Sequence, residues 1–403
     1  MNGSRKFDVV LYGATGFVGR QTVAHFAQHA GGLRWALAGR NRDKLEAVRA
    51  ASGPGAADAG IIVADAADTG ALEALAASAR VVLSTAGPFA LYGSALVAAC
   101  VAHRSHYVDI TGETPWVRDL IHRHHEQAAR DGTRIVPCCG FDSVPSDLGA
   151  WLLAERFRSL DEPCVQVKAA FSLRGGFNGG TLASALNMLD KGQTRMMADP
   201  WLLNPPGERP AAPAAQDEDP FSPHRDADFN AWLGPFFMGP VNTRVVRRSA
   251  ALLDYGPQFH YQEYLRFGNG ALAALTAAGV SVGMSASQGA LRLSPVRALA
   301  RRLAPAPGEG PSEAQMDRGS FRCELVGHGA RGTIARATVA SRGDPGNRAT
   351  TQMVCEAALA LAGDASGLPG GRKRGGVLTP ASALGETLVQ RLRAQGMTLA
   401  LQP

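Results

Sequence analysis

No two cysteines in this sequence are spaced as Cys-x-x-Cys. The six, Cys100, Cys138, Cys139, Cys164, Cys323 and Cys355, are scattered, which argues against a disulfide framework or a zinc ribbon and suits reduced thiols in the cytoplasm. Residues 1–6 hold no apolar signal stretch before the first apolar run. A net charge of +6 over 403 residues is too mild for a nucleic-acid footprint, although it suits an anionic cofactor. Tyr-x-x-x-Lys, the proton-donor pair of short-chain dehydrogenases, is absent from all six tyrosines. His122, His124, His125 and Glu126 stand close together, but without His-Glu-x-x-His spacing they read as a solvated helix face and not a metal site. With 45% apolar and 19% charged residues, the chain is globular, and its length calls for two domains or one with a large insertion.

What is present starts near the N-terminal end. Residues 7–12 form an apolar run that reads as a buried strand, followed by Gly13-Ala14-Thr15-Gly16-Phe17-Val18-Gly19 and a helix over 18–29. Glycines three apart between strand and helix let the backbone turn sharply and approach a pyrophosphate, whose charge meets free N–H groups at the helix start. The next predicted strand, 33–38, ends in Gly39-Arg40-Asn41-Arg42. An acid about 20 positions beyond the glycines would hold a ribose 2′-hydroxyl. Arg40 stands there instead, which predicts a 2′-phosphate and hence NADP(H) in preference to NAD(H).

Strands at 61–65, 80–89, 106–110 and 133–137 alternate with helices at 43–51, 69–79, 93–103 and 115–130. Such alternation predicts an α/β fold with a Rossmann-type doubly wound parallel sheet. Asp65 falls at the carboxyl edge, beside the adenine end of a bound dinucleotide, with Asp68 as a helix cap. Thr85-Ala86-Gly87-Pro88 is predicted to run beside the nicotinamide half. Cys138 to Gly149 opens a further helix, with Ser143 at its N-cap and Pro145 in its first turn.

From Cys164 onward the pattern changes to an inserted α+β domain on an antiparallel sheet, with strands at 165–173, 243–248, 259–267, 319–327 and 332–341 and a helix from Gly179 to near Lys191. Residues 199–224 hold seven prolines and the acidic run Asp217-Glu218-Asp219, and read as a loop or lid. Residues 271–290, followed by Arg297, Arg301 and Arg302, read as a packed helix with a solvated neighbour, or as a contact for a lipid surface or acyl chain. Two last helices, 350–362 and 381–395, are expected to return to the first domain. The division is therefore 1–150 for the dinucleotide, 151–349 for substrate or dimerisation, and 350–403.

The nicotinamide supplies a hydride, so the protein must position it and supply a proton. The side chains available at the carboxyl edge are Tyr107, Asp109, Cys139, Asp142 and Ser143, each with a structural role open to it as well. Taken together, Gly13 to Gly19, Ala38-Gly39-Arg40-Asn41, Ser84 to Phe89, Tyr107-Val108-Asp109-Ile110-Thr111-Gly112-Glu113, Gly140 to Asp147 and Gly375 to Pro380 resemble the saccharopine dehydrogenase-like oxidoreductases, and most of all their trans-acting enoyl reductase branch. The resemblance implies a Rossmann domain with an α+β insertion, NAD(P) as cofactor, and reduction of a carbon-carbon double bond in an acyl or polyketide chain. Two other readings stay open: an NADP-binding sensor or scaffold without turnover, and an amino-acid dehydrogenase of the saccharopine type, for which Arg174, Arg244, Arg247 and Arg266 are available. A small lipid-like substrate, no nucleic-acid partner, and a cytoplasmic protein that contacts membrane or pairs with its own copy complete the expectation.

Overall fold

The computed structural model describes residues 5–175, 179–190, 192–209, 215–256, 258–303 and 308–402. Lys191, Pro210 and Pro213 of the predicted helix end and lid lie outside them. Fourteen strands occur among the described residues: Phe7–Tyr12 (β1), Trp35–Gly39 (β2), Gly60–Val63 (β3), Ala79–Ser84 (β4), His106–Asp109 (β5), Arg134–Val136 (β6), Cys164–Arg174 (β7), His224–Asp226 (β8), Ala231–Pro235 (β9), His260–Gly268 (β10), Ser320–Gly329 (β11), Ile334–Arg342 (β12), Gly376–Val377 (β13) and Thr398–Gln402 (β14).

The first sheet is all parallel, in the order β13-β6-β5-β4-β1-β2-β3. Strands β1, β2 and β4 are buried almost throughout, which is why they read as unbroken apolar runs. Successive residues of β1 face opposite layers: Val9 and Leu11 enter one core, Val10 and Tyr12 the other. The helix Thr350–Ala362 lies against β1, β4 and β5.

The second sheet, β14-β12-β11-β7-β10-β9-β8, is mixed and not wholly antiparallel as expected. In it β10 runs parallel to β7 and antiparallel to β9, with helix Gly239–Leu253 between β9 and β10 in sequence. That same helix replaces the strand predicted over 243–248. The β-branched Thr243, Val245 and Val246 suggested a strand, but Arg244, Arg247 and Arg248 stand at helical spacing and are all buried.

Their guanidinium groups bind the proline-rich segment. Arg244 pairs with Asp219 at 2.5 Å and donates to Asp199 O, Arg247 donates to Pro200 O and Asp217 O at 3.0 and 2.8 Å, and Arg248 donates to Leu203 O. The segment predicted as an irregular loop, strapped to a helix in this way, contains short 3-10 turns at Pro206–Glu208 and Ala215–Asp217, with another just before it at Gln193–Ala198. Helix Ala271–Ala290 forms as predicted, yet only Ala277 and Ser281 are buried; Leu272, Leu275 and Val282 are 77%, 70% and 69% exposed. None of the helices among the described residues is long and apolar enough to cross a membrane.

Candidate active site

At the carboxyl end of β1 the chain turns at Gly13 with φ of 84°, a region that favours glycine. A Cβ on Gly13 would lie 2.9 Å from Ala86 N, and one on Gly19 only 2.1 Å from Gly13 O. The glycines therefore let helix Phe17–His29 press against the turn. Gly13 N and Ala14 N donate to Ala38 O, and Gly16 N donates to Gly13 O. Gly16 is the N-cap and offers no side chain to the first turn. The N–H groups of Phe17, Val18 and Gly19 are thus left as donors at a positive helix end. Shape and charge both fit the pyrophosphate of a dinucleotide.

Arg40 follows β2, is exposed, and makes no hydrogen bond or ion pair among the described residues. Its charge and that of Asp65 both reach the Tyr12 phenol, which burial pushes up to about 12. Arg40 and Asp65 therefore border the same end of β1. Asn41 is used locally: its Oδ1 accepts from Lys44 N at 2.9 Å and caps helix Arg42–Ala51. Asp65 accepts from Ala67 N within its turn, and Asp68 caps helix Thr69–Ser78.

The loop after β4 is tied to the glycine turn, since Thr85 N donates to Tyr12 O at 2.9 Å and Thr85 Oγ1 to Gly13 O at 3.2 Å. Gly87-Pro88 is a cis peptide. Behind it lies Glu113, 1% exposed, which accepts from Phe89 N at 2.7 Å, Ala90 N at 3.1 Å and Ser184 Oγ at 2.9 Å. Through Ser184, helix Gly179–Asp190 of the insertion reaches the loop that edges the cofactor site. Sequence reasoning left Glu113 without a role; an acid just past Gly112, opposite a helix start that lacks its own cap, was the available signal.

Asp142 sits beyond β6 in a different setting. A Cβ on Gly112 would lie 3.4 Å from Asp142 Oδ2, 3.8 Å from Met238 Cε and 3.9 Å from Val241 Cγ2, so the carboxyl and these two apolar side chains all approach Gly112. Asp142 has no hydrogen-bonding or ionic partner among the described residues, retains some solvent access, and is pushed up to about 7 by burial. Ser143 stands at the N-cap of helix Val144–Ser159 but does not cap it; its hydroxyl donates to Asn242 Oδ1 at 3.3 Å. Asn242 Nδ2 in turn donates to Glu263 Oε1 at 2.7 Å, and Ser146 and the Tyr261 hydroxyl donate to Glu263 Oε2. Burial pushes Glu263 up to about 8 despite these three donors.

Tyr107 and Cys139 are fully buried. The Tyr107 hydroxyl faces Asp109 and Ser84 without closing a well-formed hydrogen bond. Asp109 accepts from Thr111 N and Cys138 N, with burial pushing it up to about 7. The Cys139 thiol bonds to Val136 O at 3.3 Å and is raised by burial, which keeps it protonated and shielded. Arg244 and Arg247, kept open for a substrate carboxylate, are engaged by the proline-rich segment, and Arg266 pairs with Glu324 at 3.4 Å; Arg174 ends β7 exposed. His125 turns inward to Val377 and Arg248 and away from solvent. Gly279-Val280-Ser281-Val282-Gly283 has nucleophile-elbow spacing, but it lies mid-helix with Ser281 bonded to Ala277 O, so no elbow forms there.

Residues 9–136 match the saccharopine dehydrogenase NADP binding domain family. A Mycobacterium tuberculosis protein provisionally named a trans-acting enoyl reductase is 42% identical over 417 residues, covering 98% of this chain and 97% of its own. Trans-acting enoyl reductase of Mycobacterium ulcerans is 39% identical over 420 residues, covering 99% and 98%. Among solved structures, the L-Glu-forming saccharopine dehydrogenase of Saccharomyces cerevisiae has the same fold, with a TM-score of 0.54 at 13% identity over 98% of this chain and 99% of that one. Identity near 40% over almost the full length, on a saccharopine dehydrogenase fold with an NADP-binding first sheet, places the chain in the trans-acting enoyl reductase family of saccharopine dehydrogenase-like oxidoreductases.

Proposed function

We propose that the protein is an NADPH-dependent reductase of a carbon-carbon double bond in an acyl or polyketide substrate. The observation that carries this reading is one open edge holding both an anion cradle, with the unpaired Arg40 beside it, and an unpaired, half-neutral carboxyl at Asp142. Bound NADPH supplies the hydride. On the protein side, Gly13, Gly16 and Gly19 admit the pyrophosphate, Arg40 reads the 2′-phosphate, and Thr85 to Pro88 flank the nicotinamide. Asp142 holds the proton taken up by the carbon next to the one that receives the hydride. Met238 and Val241, which approach Gly112 as Asp142 does, suit an acyl chain better than a charged amino acid, and the engagement of Arg244 and Arg247 elsewhere disfavours the saccharopine-type reading.

Division at 150 and 349 belongs to the same proposal, as does contact of the exposed leucines of helix Ala271–Ala290 with a lipid surface. The test is titration of wild type and Arg40→Ala with NADPH and NADH, followed by addition of an enoyl thioester. Wild type is expected to bind NADPH more tightly and to oxidise it once the thioester is present. Arg40→Ala should weaken NADPH binding by about 10- to 100-fold, the worth of a charge-assisted hydrogen bond, and leave NADH unchanged. Tight binding without oxidation would favour the sensor reading; equal cofactor affinities in wild type would remove Arg40 from its role.

A further inference from the structure

Helix Phe17–His29 buries one face against the first sheet, through Val18, Thr22, Val23 and Phe26. Its other face, Phe17, Gln21, Ala24 and Gln28, lines an open groove of about 860 Å³. The spacing i, i+4, i+7, i+11 runs the groove about 16 Å along the helix. Only the Phe17 end borders the glycine turn. The rest extends away from the carboxyl edge, alongside Val48 and Ala51 of the neighbouring helix, so the groove is separate from the dinucleotide cleft.

Two polar atoms on its wall have no partner. Gln21 Nε2 and Thr351 Oγ1 are both buried without a hydrogen bond, and Thr351 is 5% exposed. Buried donors are normally paired with protein or water, so two orphans on one wall call for an acceptor from outside. Arg20, His25, Arg348 and Glu313 line the groove. His25 pairs with the buried Glu356 and Arg348 Nε with Asp317, so the cation without an acid partner among the described residues is Arg20, which bonds to the carbonyls of Thr15 and Gly308. Arg348 donates to Gln21 Oε1 at 3.3 Å, which sets its guanidinium beside the orphan amide. The far end, with Ala24, Val48 and Ala51, is apolar. The volume is that of a small-molecule site.

We propose that this groove is a second ligand site, for an organic anion whose carboxylate or phosphate head meets Gln21 Nε2, Thr351 Oγ1 and Arg348 and whose apolar tail lies along Ala24, Val48 and Ala51. Neither the glycine turn nor Asp142 takes part, so the site stands or falls independently of the proposed reaction.

The experiment is isothermal titration of the full chain at constant ionic strength, with NADP⁺ saturating so that the cofactor cleft is filled. The probes are decanoate, decyl phosphate, decanol and inorganic phosphate. Decanoate or decyl phosphate should bind at one site per chain, more tightly than decanol or inorganic phosphate, and the better of the two identifies the head. Gln21→Leu and the near-isosteric Thr351→Val should each weaken that binding by about tenfold while NADP⁺ affinity stays as in wild type. Absence of saturable binding to wild type overturns the site. So does equal binding by wild type and both variants, which would assign the probe to another pocket. Thermal melting distinguishes a folding defect: a Thr351→Val protein that melts at or above the wild-type temperature, with wild-type affinity, marks the hydroxyl as a mere burial defect.

Discussion

A carboxyl that no donor or cation stabilises is uncommon at the edge of a cofactor site, and Asp142 is one. Burial alone raises it to about 7, so near neutrality it is partly protonated and able to give up a proton. Because the protonated form is the donor, turnover should fall as pH rises above about 7 and level off below. Asp142→Asn should lower kcat by about 10²- to 10⁴-fold, the usual worth of a positioned acid, and leave NADPH affinity intact. Steady-state rates across pH 5.5 to 9 check both points. An unchanged kcat, or an alkaline limb that persists in the variant, would assign the proton to another group. Cys139 and Tyr107 illustrate the opposite outcome at this scale: both belong to the same carboxyl edge, yet full burial closes them off.

Helix Gly239–Leu253 is an element whose role lies in what it ties down. Arg247 has no exposed surface to speak of and donates to Pro200 O, Asp217 O and Tyr261 O. Arg247→Met would remove three hydrogen bonds from the interior, at a cost of about 3 kcal/mol or more. Limited proteolysis should then cut near residues 199–219 well before the rest of the chain; an unaltered digestion pattern and urea midpoint would show that the strap holds without this arginine. This element also shows where the sequence is legible. The apolar runs of β1, β2 and β4 were readable because these strands are buried almost throughout, and so was the glycine turn. Helix Gly239–Leu253 was not, because its arginines are held by backbone carbonyls far along the chain and leave no apolar period. The short strands β8, β9, β13 and β14 escaped for a similar reason: pairing with distant strands creates them, with little preference of their own. Asn242 and Glu263, which hold Ser143 in place, became visible only when helix and strand were brought together.

Across the whole molecule, burial raises Asp109, Asp142 and Asp147 to about 7 and Glu263 to about 8. The folded state keeps these protons where the unfolded chain has already released them, so the stability they contribute is fully present only below the ordinary carboxyl range near 4, and is lost as pH rises from there through about 7 to 8. His106, pushed down to about 4 by burial, acts the other way only below its ordinary range. Between pH 6.5 and 8.5 the carboxyls dominate, and the urea midpoint is expected to fall; a midpoint that rises over this window would refute the sign. The two sheets are also coupled in time. β13 completes one edge of the first sheet and β14 one edge of the second, and both come from the last stretch of the sequence. During synthesis β6 and β12 therefore wait with open hydrogen-bonding edges until residues 376–402 have left the ribosome. Neither half of the protein can mature ahead of the other, and a nascent chain stalled before residue 376 exposes two sticky edges to its neighbours at once.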